Sequence, residues 1–133
     1  MSKQIPIVII GRTTKIGDTV TEILKPEYEV THLFLTPESA KAEIPPLLGK
    51  EGKSPAAIVM GGGYTEGDFE DIKSFCTGVE KRGVSWVKVD PSKTPAGVKI
   101  GPEYASLVAR RTKERLDELV RKQEIGDGKV YFV

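Results

Sequence analysis

The residues best suited to bind an anion follow the first hydrophobic segment of the chain. Two glycines, two threonines and two cations stand there within seven positions: Gly11, Arg12, Thr13, Thr14, Lys15, Ile16 and Gly17. We expect a buried strand to run into a helix here, and backbone N–H groups and the helix dipole favour a phosphate at such a junction. The segment therefore predicts a phosphate-binding loop. In an alternative, structural interpretation, Gly11 makes the turn, Gly17 lets helix and sheet pack closely, and the two cations are solvated.

A second candidate segment follows the third hydrophobic segment. Gly61, Gly62 and Gly63 come first, and Tyr64 follows them. Glycine backbone can approach a ligand closely, and a tyrosine can stack on a flat ring. The alternative is a flexible turn with a surface tyrosine. Because the carboxyl ends of parallel strands share one edge of a sheet, we expect this segment to lie beside the first loop.

The third candidate is Asp90, at the end of the fourth hydrophobic segment. A connection of about 12 residues follows it before the next helix, and loops of that length often cover binding sites. Asp90 could then bind a hydroxyl group of a ligand or accept a proton. Alternatively, it caps its own turn, as aspartate often does.

The first loop resembles the glycine segment of the short-chain dehydrogenases/reductases, in which a strand runs into the pattern G-x-x-x-G-x-G. Gly11, Ile16 and Gly17 match this pattern. Thr13 and Thr14 fill positions where small hydroxyl residues are common in that family. The resemblance covers about the first 25 residues, and it implies a Rossmann-like fold with NAD(P) as the cofactor.

Three features depart from the pattern of that family. Lys15 replaces the middle glycine, and a side chain there obstructs the close approach of a dinucleotide pyrophosphate unless the loop is reshaped. Leu35-Thr36-Pro37 carries no charged residue for the ribose or the 2′-phosphate. No tyrosine has a lysine four residues on, so the catalytic pair of the family is missing.

Other chemistries find little support in the residue types. The single cysteine, Cys76, stands on the apolar side of a predicted helix, and the single histidine, His32, lies within a predicted strand. We therefore predict neither a metal site nor a catalytic triad, and we assign no catalytic residue. Receiver domains need acidic residues after the first strand and an aspartate after the third, where this chain has Gly11 and Gly61.

The candidate segments need a scaffold, and the order of hydrophobic patterns predicts one. Runs rich in β-branched and aromatic residues predict strands at 5–10, 28–35, 56–60, 84–89 and 129–133. Helical spacing predicts helices between them, the second ending at Pro45-Pro46. This alternation predicts parallel strands joined by right-handed crossovers. We expect a three-layer α/β/α sandwich, Rossmann-like or flavodoxin-like, with a mostly parallel sheet of four or five strands in the order 2-1-3-4-5.

Length and charge are consistent with a single Rossmann-like domain over residues 1–133. The chain has 133 residues, with 20 Lys and Arg against 19 Asp and Glu, for a net charge of +1. This balance creates no field for nucleic acid, and the charges of the last helix have mixed signs, so we expect no nucleic-acid partner. The longest apolar run, Ile5–Ile10, is far too short to span a bilayer. With one cysteine and no signal-peptide pattern, we expect a cytoplasmic protein.

Two functions of different classes are consistent with these features. In the first, a small Rossmann-like protein binds a nucleotide, a dinucleotide such as NAD(P), or another small phosphate-containing ligand at the carboxyl edge of its sheet. An enzyme of this kind would use redox chemistry with a bound cofactor rather than hydrolysis. In the second, a non-catalytic interaction or assembly module keeps the fold without a cofactor. Residues 129–133 would then pair with a second copy in a homodimer, or they would complete the chain's own sheet.

Overall fold

Strands and helices alternate along the chain. The computed structural model describes residues 4–48, 54–76, 83–94, 97–99 and 101–133. The strands are β1 (Ile5–Ile10), β2 (Tyr28–Phe34), β3 (Ala57–Met60), β4 (Ser85–Lys88) and β5 (Val130–Phe132). The α-helices of the described ranges are α1 (Thr14–Leu24), α2 (Pro37–Leu48), α3 (Glu66–Cys76) and α4 (Pro102–Arg121), and a 3-10 helix (Pro91–Lys93) precedes α4. None of the helices in these ranges is both long enough and apolar enough to cross a membrane.

The five strands form one parallel sheet in the order β2-β1-β3-β4-β5. This confirms the predicted α/β sandwich and its strand order. β5 pairs with β4, with Trp86 opposite Val130 and Lys88 opposite Phe132. The ladder continues past the strand, because the Val133 N–H donates to the Lys88 carbonyl at 3.0 Å. The last residues therefore complete the chain's own sheet.

Each face of the sheet is covered by two helices. In β1, Val8 and Ile10 are buried on the face covered by α2 and α3, and Ile7 and Ile9 on the face covered by α1 and α4. All four side chains are at most 4% exposed. β1 thus runs through the middle of the molecule, which explains why its sequence is apolar throughout instead of alternating.

The last connection differs in hand from the first three. The connections through α2 and α3 lie on one face of the sheet and step toward the β5 edge. The connection through α1 lies on the other face and steps toward the β2 edge. These three crossovers therefore share one hand. α4 also leads toward β5, but it lies on the α1 face and packs against α1. The four crossovers therefore do not all share one hand, so the prediction that all of them are right-handed is wrong. The physical reason is coverage: without α4, a single helix would shield the apolar face formed by residues such as Ile9, Val59 and Val87.

Helix α2 also departs from the prediction. Pro45 and Pro46 lie inside it, and the helix ends at Leu48 rather than at the prolines. Ile44 and Leu48 stand four residues apart on one face, and both are fully buried. Burial of this apolar face compensates for the backbone hydrogen bonds that proline cannot donate.

Candidate functional site

The loop between β1 and α1 presents the amino end of a helix at the carboxyl edge of the sheet. Thr13 is the N-cap, and its hydroxyl oxygen accepts the Ile16 N–H at 3.3 Å. The Gly17 N–H donates to the Thr13 carbonyl at 3.2 Å, which begins the helical ladder. The N–H groups of Thr14 and Lys15 precede that bond, so they have no partner within the helix and are available to a ligand. This geometry suits the anion-binding interpretation of the loop.

Gly17 has the role that the structural interpretation gave it. A Cβ at this position would lie 2.6 Å from Leu33 Cδ2 on β2, closer than real Cβ atoms come to other atoms. At Gly11 a Cβ would meet an ordinary contact, 3.8 Å from Leu33 Cδ1. A side chain would therefore crowd Leu33 at the end of the loop, inside α1, and not at its beginning.

Arg12 turns away from α1 and covers the ring of Tyr64. Its Cζ lies 4.1 Å from the ring centroid, and its Nε donates to the Gly63 carbonyl at 3.2 Å. Its Nη2 is 3.8 Å from the Asp68 carboxylate. A guanidinium over an aromatic face is held by the ring quadrupole. Arg12 is therefore engaged with the loop between β3 and α3, and its charge is not directed at the start of α1.

Tyr64 belongs to the core and not to the surface. Its side chain packs with residues of the α2 and α3 face, the residue is 4% exposed, and its hydroxyl donates to the Gly11 carbonyl at 2.8 Å. Burial raises the pKa of its phenol. With Arg12 on its ring and core residues around it, Tyr64 has no free face on which a ligand could stack. The hydrogen bond of its hydroxyl instead joins the loop after β3 to the loop after β1.

A local sequence signal could have located Tyr64. Thr65 and Asp68 form a reciprocal cap at the start of α3: the Thr65 N–H donates to the Asp68 carboxylate at 3.2 Å, and the Asp68 N–H donates to the Thr65 hydroxyl at 3.0 Å. The residue before such a cap often packs against the fourth residue of the helix, as a hydrophobic staple. Here those residues are Tyr64 and Phe69, which are buried in the same cluster.

The glycine turn after β3 lies beside the first loop, as the sequence predicted. The Gly61 N–H donates to the Ile10 carbonyl at 2.8 Å. A Cβ at Gly62 would lie 2.9 Å from the Tyr104 hydroxyl and 3.3 Å from Pro91 Cγ. The absence of a side chain at Gly62 thus lets the first turn of α4 and the loop after β4 close down on the end of β3. These close contacts are with the protein's own residues.

Asp90 caps its own turn. Its carboxylate accepts the Ser92 N–H at 2.9 Å and the Ser92 hydroxyl at 2.7 Å. These two hydrogen bonds from Ser92, the hydroxyl first, hold the pKa of the Asp90 carboxyl below its usual value. The geometry therefore favours the capping interpretation of Asp90 over a contact with a ligand.

Open space at this edge of the sheet lies between the first turns of α1 and α4. A crevice of about 240 Å³ is lined by Thr13, Lys15, Ile16, Thr19, Gly101, Pro102 and Ala105. Both helices run antiparallel to the strands, so both present their positive amino ends here. Ala105, which is 1% exposed, closes the inner side. Three predicted site residues, Thr13, Lys15 and Ile16, therefore meet residues of α4 that sequence reasoning did not single out. The proline at the first position of α4 marks the start of this helix in the sequence.

Lys88 is a second residue that sequence reasoning missed. It is 4% exposed, and its Nζ donates to the carbonyls of Gly61 at 3.2 Å and Val89 at 2.9 Å. Burial lowers the pKa of its ammonium group. The side chain ties together the carboxyl ends of β3 and β4. Because strand residues alternate between faces, the buried Trp86 two positions earlier could have indicated that Lys88 points to the α2 and α3 face.

A larger cavity, of about 320 Å³, lies near the amino ends of β1 and β2. Three of its lining residues take part in one polar network: the Tyr28 hydroxyl donates to Asp117 at 2.8 Å, and Lys113 bridges Asp117 at 3.2 Å and Glu27 at 3.0 Å. Open parallel sheets bind ligands at the opposite, carboxyl edge. In this respect the crevice between α1 and α4 is a better candidate site than the cavity near the amino ends. Within the described ranges, no three potential metal-ligating side chains come together.

The fold and the crevice define an α/β protein with a five-stranded parallel sheet and a small, largely apolar crevice at its carboxyl edge. The chain is 53% identical, over 137 aligned positions, to "Kojic acid related protein 6" of Aspergillus oryzae. The alignment covers 97% of this chain and 86% of that protein. The chain belongs to the family of that protein. No family model and no solved structure matches it.

Proposed function

We propose that this protein binds a small phosphate-containing ligand, such as a nucleotide or an NAD(P)-like compound, in the crevice between α1 and α4. The observation that carries the proposal is the meeting of two helix amino ends at one crevice that also holds Lys15. Helix amino ends favour anions because their N–H groups are unpaired and carry partial positive charge.

In this proposal the phosphate lies at the start of α1. The N–H groups of Thr14 and Lys15 are its backbone donors, and the Lys15 ammonium supplies a full positive charge. The rest of the ligand lies against Ile16, Pro102 and Ala105, which line the crevice. The proposal concerns binding and assigns no reaction.

Two further points belong to the same proposal. The name of the Aspergillus oryzae relative associates that protein with kojic acid, so kojic acid is a suitable additional probe. We also propose a cytoplasmic location. It is supported by the cysteine content, because a chain with one cysteine, the buried Cys76, cannot form an intrachain disulfide.

Isothermal titration calorimetry with inorganic phosphate, AMP, NADP⁺ and kojic acid tests the proposal. We expect saturable binding of at least one phosphate compound. Replacing Lys15 with alanine is expected to weaken it about tenfold, because a charge-assisted contact of about 1.5 kcal/mol is lost. Lys25→Ala is the matched control, because it removes the same charge at the far end of α1, where Lys25 pairs with Glu22 at 3.2 Å. Equal affinity of wild type and Lys15→Ala, or no saturable binding at millimolar phosphate ligand, contradicts the proposal.

A second candidate function, an assembly module, is favoured by one observation. Phe132 is 44% exposed although it lies on β5, the edge strand of the sheet. An apolar side chain on an open edge can contact a second copy. Light scattering over a range of concentrations tests this function: it requires a dimer that Phe132→Ser dissociates. A monomer at every concentration rules it out.

A further inference from the structure

The size of the crevice limits what it can hold. Ligand pockets are commonly about 300–1,000 Å³, and a cavity of about 150 Å³ accepts one benzene ring. The crevice, at about 240 Å³, lies between these values. It therefore holds one substituted ring, and most of a dinucleotide would have to lie outside it.

The walls of the crevice suit an apolar ring. Ile16 and Thr19 of α1 face Pro102 and Ala105 of α4 across it. The Thr19 hydroxyl donates to the Lys15 carbonyl at 3.1 Å, so its polar group is already satisfied within α1. A ring placed here gains apolar contact and leaves no buried polar group unpaired.

The polar side of the crevice offers one full charge. Among the described residues that line it, Lys15 is the one that carries a charge. Arg12, the other cation of the loop, is held 4.1 Å above the ring of Tyr64. One cation and two free N–H groups match one phosphate group better than two.

From this size, lining and charge we infer that the ligand is a single-ring compound with one phosphate group, and that dinucleotides bind poorly. The ring lies between Ile16 and Ala105, and the phosphate lies at Lys15 and the start of α1. This inference rests on the proposed function, because it uses the same crevice and the same anion-binding groups.

Calorimetric titration with phenyl phosphate, inorganic phosphate, AMP and NADP⁺ tests the inference. Phenyl phosphate is expected to bind at least about tenfold more tightly than inorganic phosphate, because burial of the ring contributes more than 1.4 kcal/mol. It is also expected to bind more tightly than NADP⁺ and AMP. Thr19→Leu fills the crevice, and it is expected to weaken phenyl phosphate about tenfold while leaving the affinity for inorganic phosphate unchanged.

Two additional variants make the test independent of any one substitution. Ile16→Ala removes a wall of the crevice instead of filling it, and the same selective loss of phenyl phosphate is expected. Thr31→Leu is the matched control, because Thr31 is an exposed residue on β2, outside the crevice. All three variants are checked for folding by urea denaturation before titration.

The outcomes separate this inference from the proposed function. If NADP⁺ or AMP binds tenfold more tightly than phenyl phosphate, the inference is wrong and the proposed function stands. If phenyl phosphate binds the Thr19→Leu and Ile16→Ala variants as tightly as it binds wild type, the ring does not occupy the crevice and the inference is wrong. If no phosphate compound binds, both are wrong.

Discussion

Replacing Gly62 with alanine tests how the loop after β3 and the first turn of α4 are joined. The added Cβ would lie 2.9 Å from the Tyr104 hydroxyl, whereas ordinary contacts of a Cβ begin at 3.4 Å. Pro91 Cγ at 3.3 Å and Val89 Cγ1 at 3.4 Å restrict movement in other directions. The new methyl group must therefore displace the Tyr104 side chain, and overpacking of this kind costs about 1–3 kcal/mol.

A double-mutant cycle isolates that cost. An alanine in a compatible backbone conformation also stabilises by about 0.4–1 kcal/mol through the unfolded chain, so the single variant reports a sum of two effects. Tyr104→Phe removes only the hydroxyl that collides with the new methyl group. We expect Gly62→Ala to cost at least about 1 kcal/mol more in the wild-type background than in the Tyr104→Phe background.

Urea denaturation of the four proteins measures the free energies of unfolding. Gly101→Ala is the control substitution, because a Cβ there would meet no atom within 4 Å. It is expected to change stability by less than about 0.5 kcal/mol. If Gly62→Ala costs the same in both backgrounds, within about 0.3 kcal/mol, the added methyl group does not collide with the Tyr104 hydroxyl.

Three further predictions concern buried polar groups. Tyr64→Phe removes the hydrogen bond to the Gly11 carbonyl, so urea denaturation should show a loss of about 1 kcal/mol, and ligand affinity should be unchanged. Ser85→Ala should cost about 1–3 kcal/mol in the same assay, since the buried Ser85 hydroxyl donates to Asp127 and also accepts a backbone N–H; no loss contradicts this role. Burial lowers the pKa of Lys88, so below 10.5 the unfolded chain binds more protons at this group. The stability of wild type relative to Lys88→Met should therefore rise as pH increases toward 10.5, and a flat or falling difference contradicts the assignment.

The order of strands could be predicted because each strand and helix has a recognisable pattern in its own stretch of sequence. The unbroken apolar run of β1 indicates burial on both faces, and the parallel order then follows from strict alternation with helices. Two features of the fold could not be predicted from local sequence patterns. α2 continues through Pro45 and Pro46 because Leu48 is buried against the rest of the protein. α4 lies on the α1 face because α1 by itself would leave part of the apolar surface of that face uncovered.

The sequence predicted where the candidate site lies better than it predicted which residues form it. The loop after β1 was identified because a strand-to-helix junction with glycines is a local pattern, and Lys15 and Ile16 do line the crevice. The facing residues Pro102 and Ala105 lie about ninety residues away in the sequence, and only the crossover of α4 brings them there. Arg12 and Tyr64 look like binding residues in the sequence because they are polar or aromatic and stand beside glycines. In the structure the Arg12 guanidinium lies over the Tyr64 ring, so the two side chains contact each other.

A ligand bound in the crevice between α1 and α4 would change the surroundings of the backbone amides that line it. The most direct test is a titration of ¹⁵N-labelled protein with phenyl phosphate, followed by two-dimensional NMR of the backbone amides. We expect the largest shift changes to fall on Thr14, Lys15, Ile16 and Ala105, and to saturate together. Saturable changes centred instead on Tyr28 and Asp117, or no change at millimolar ligand, would contradict it.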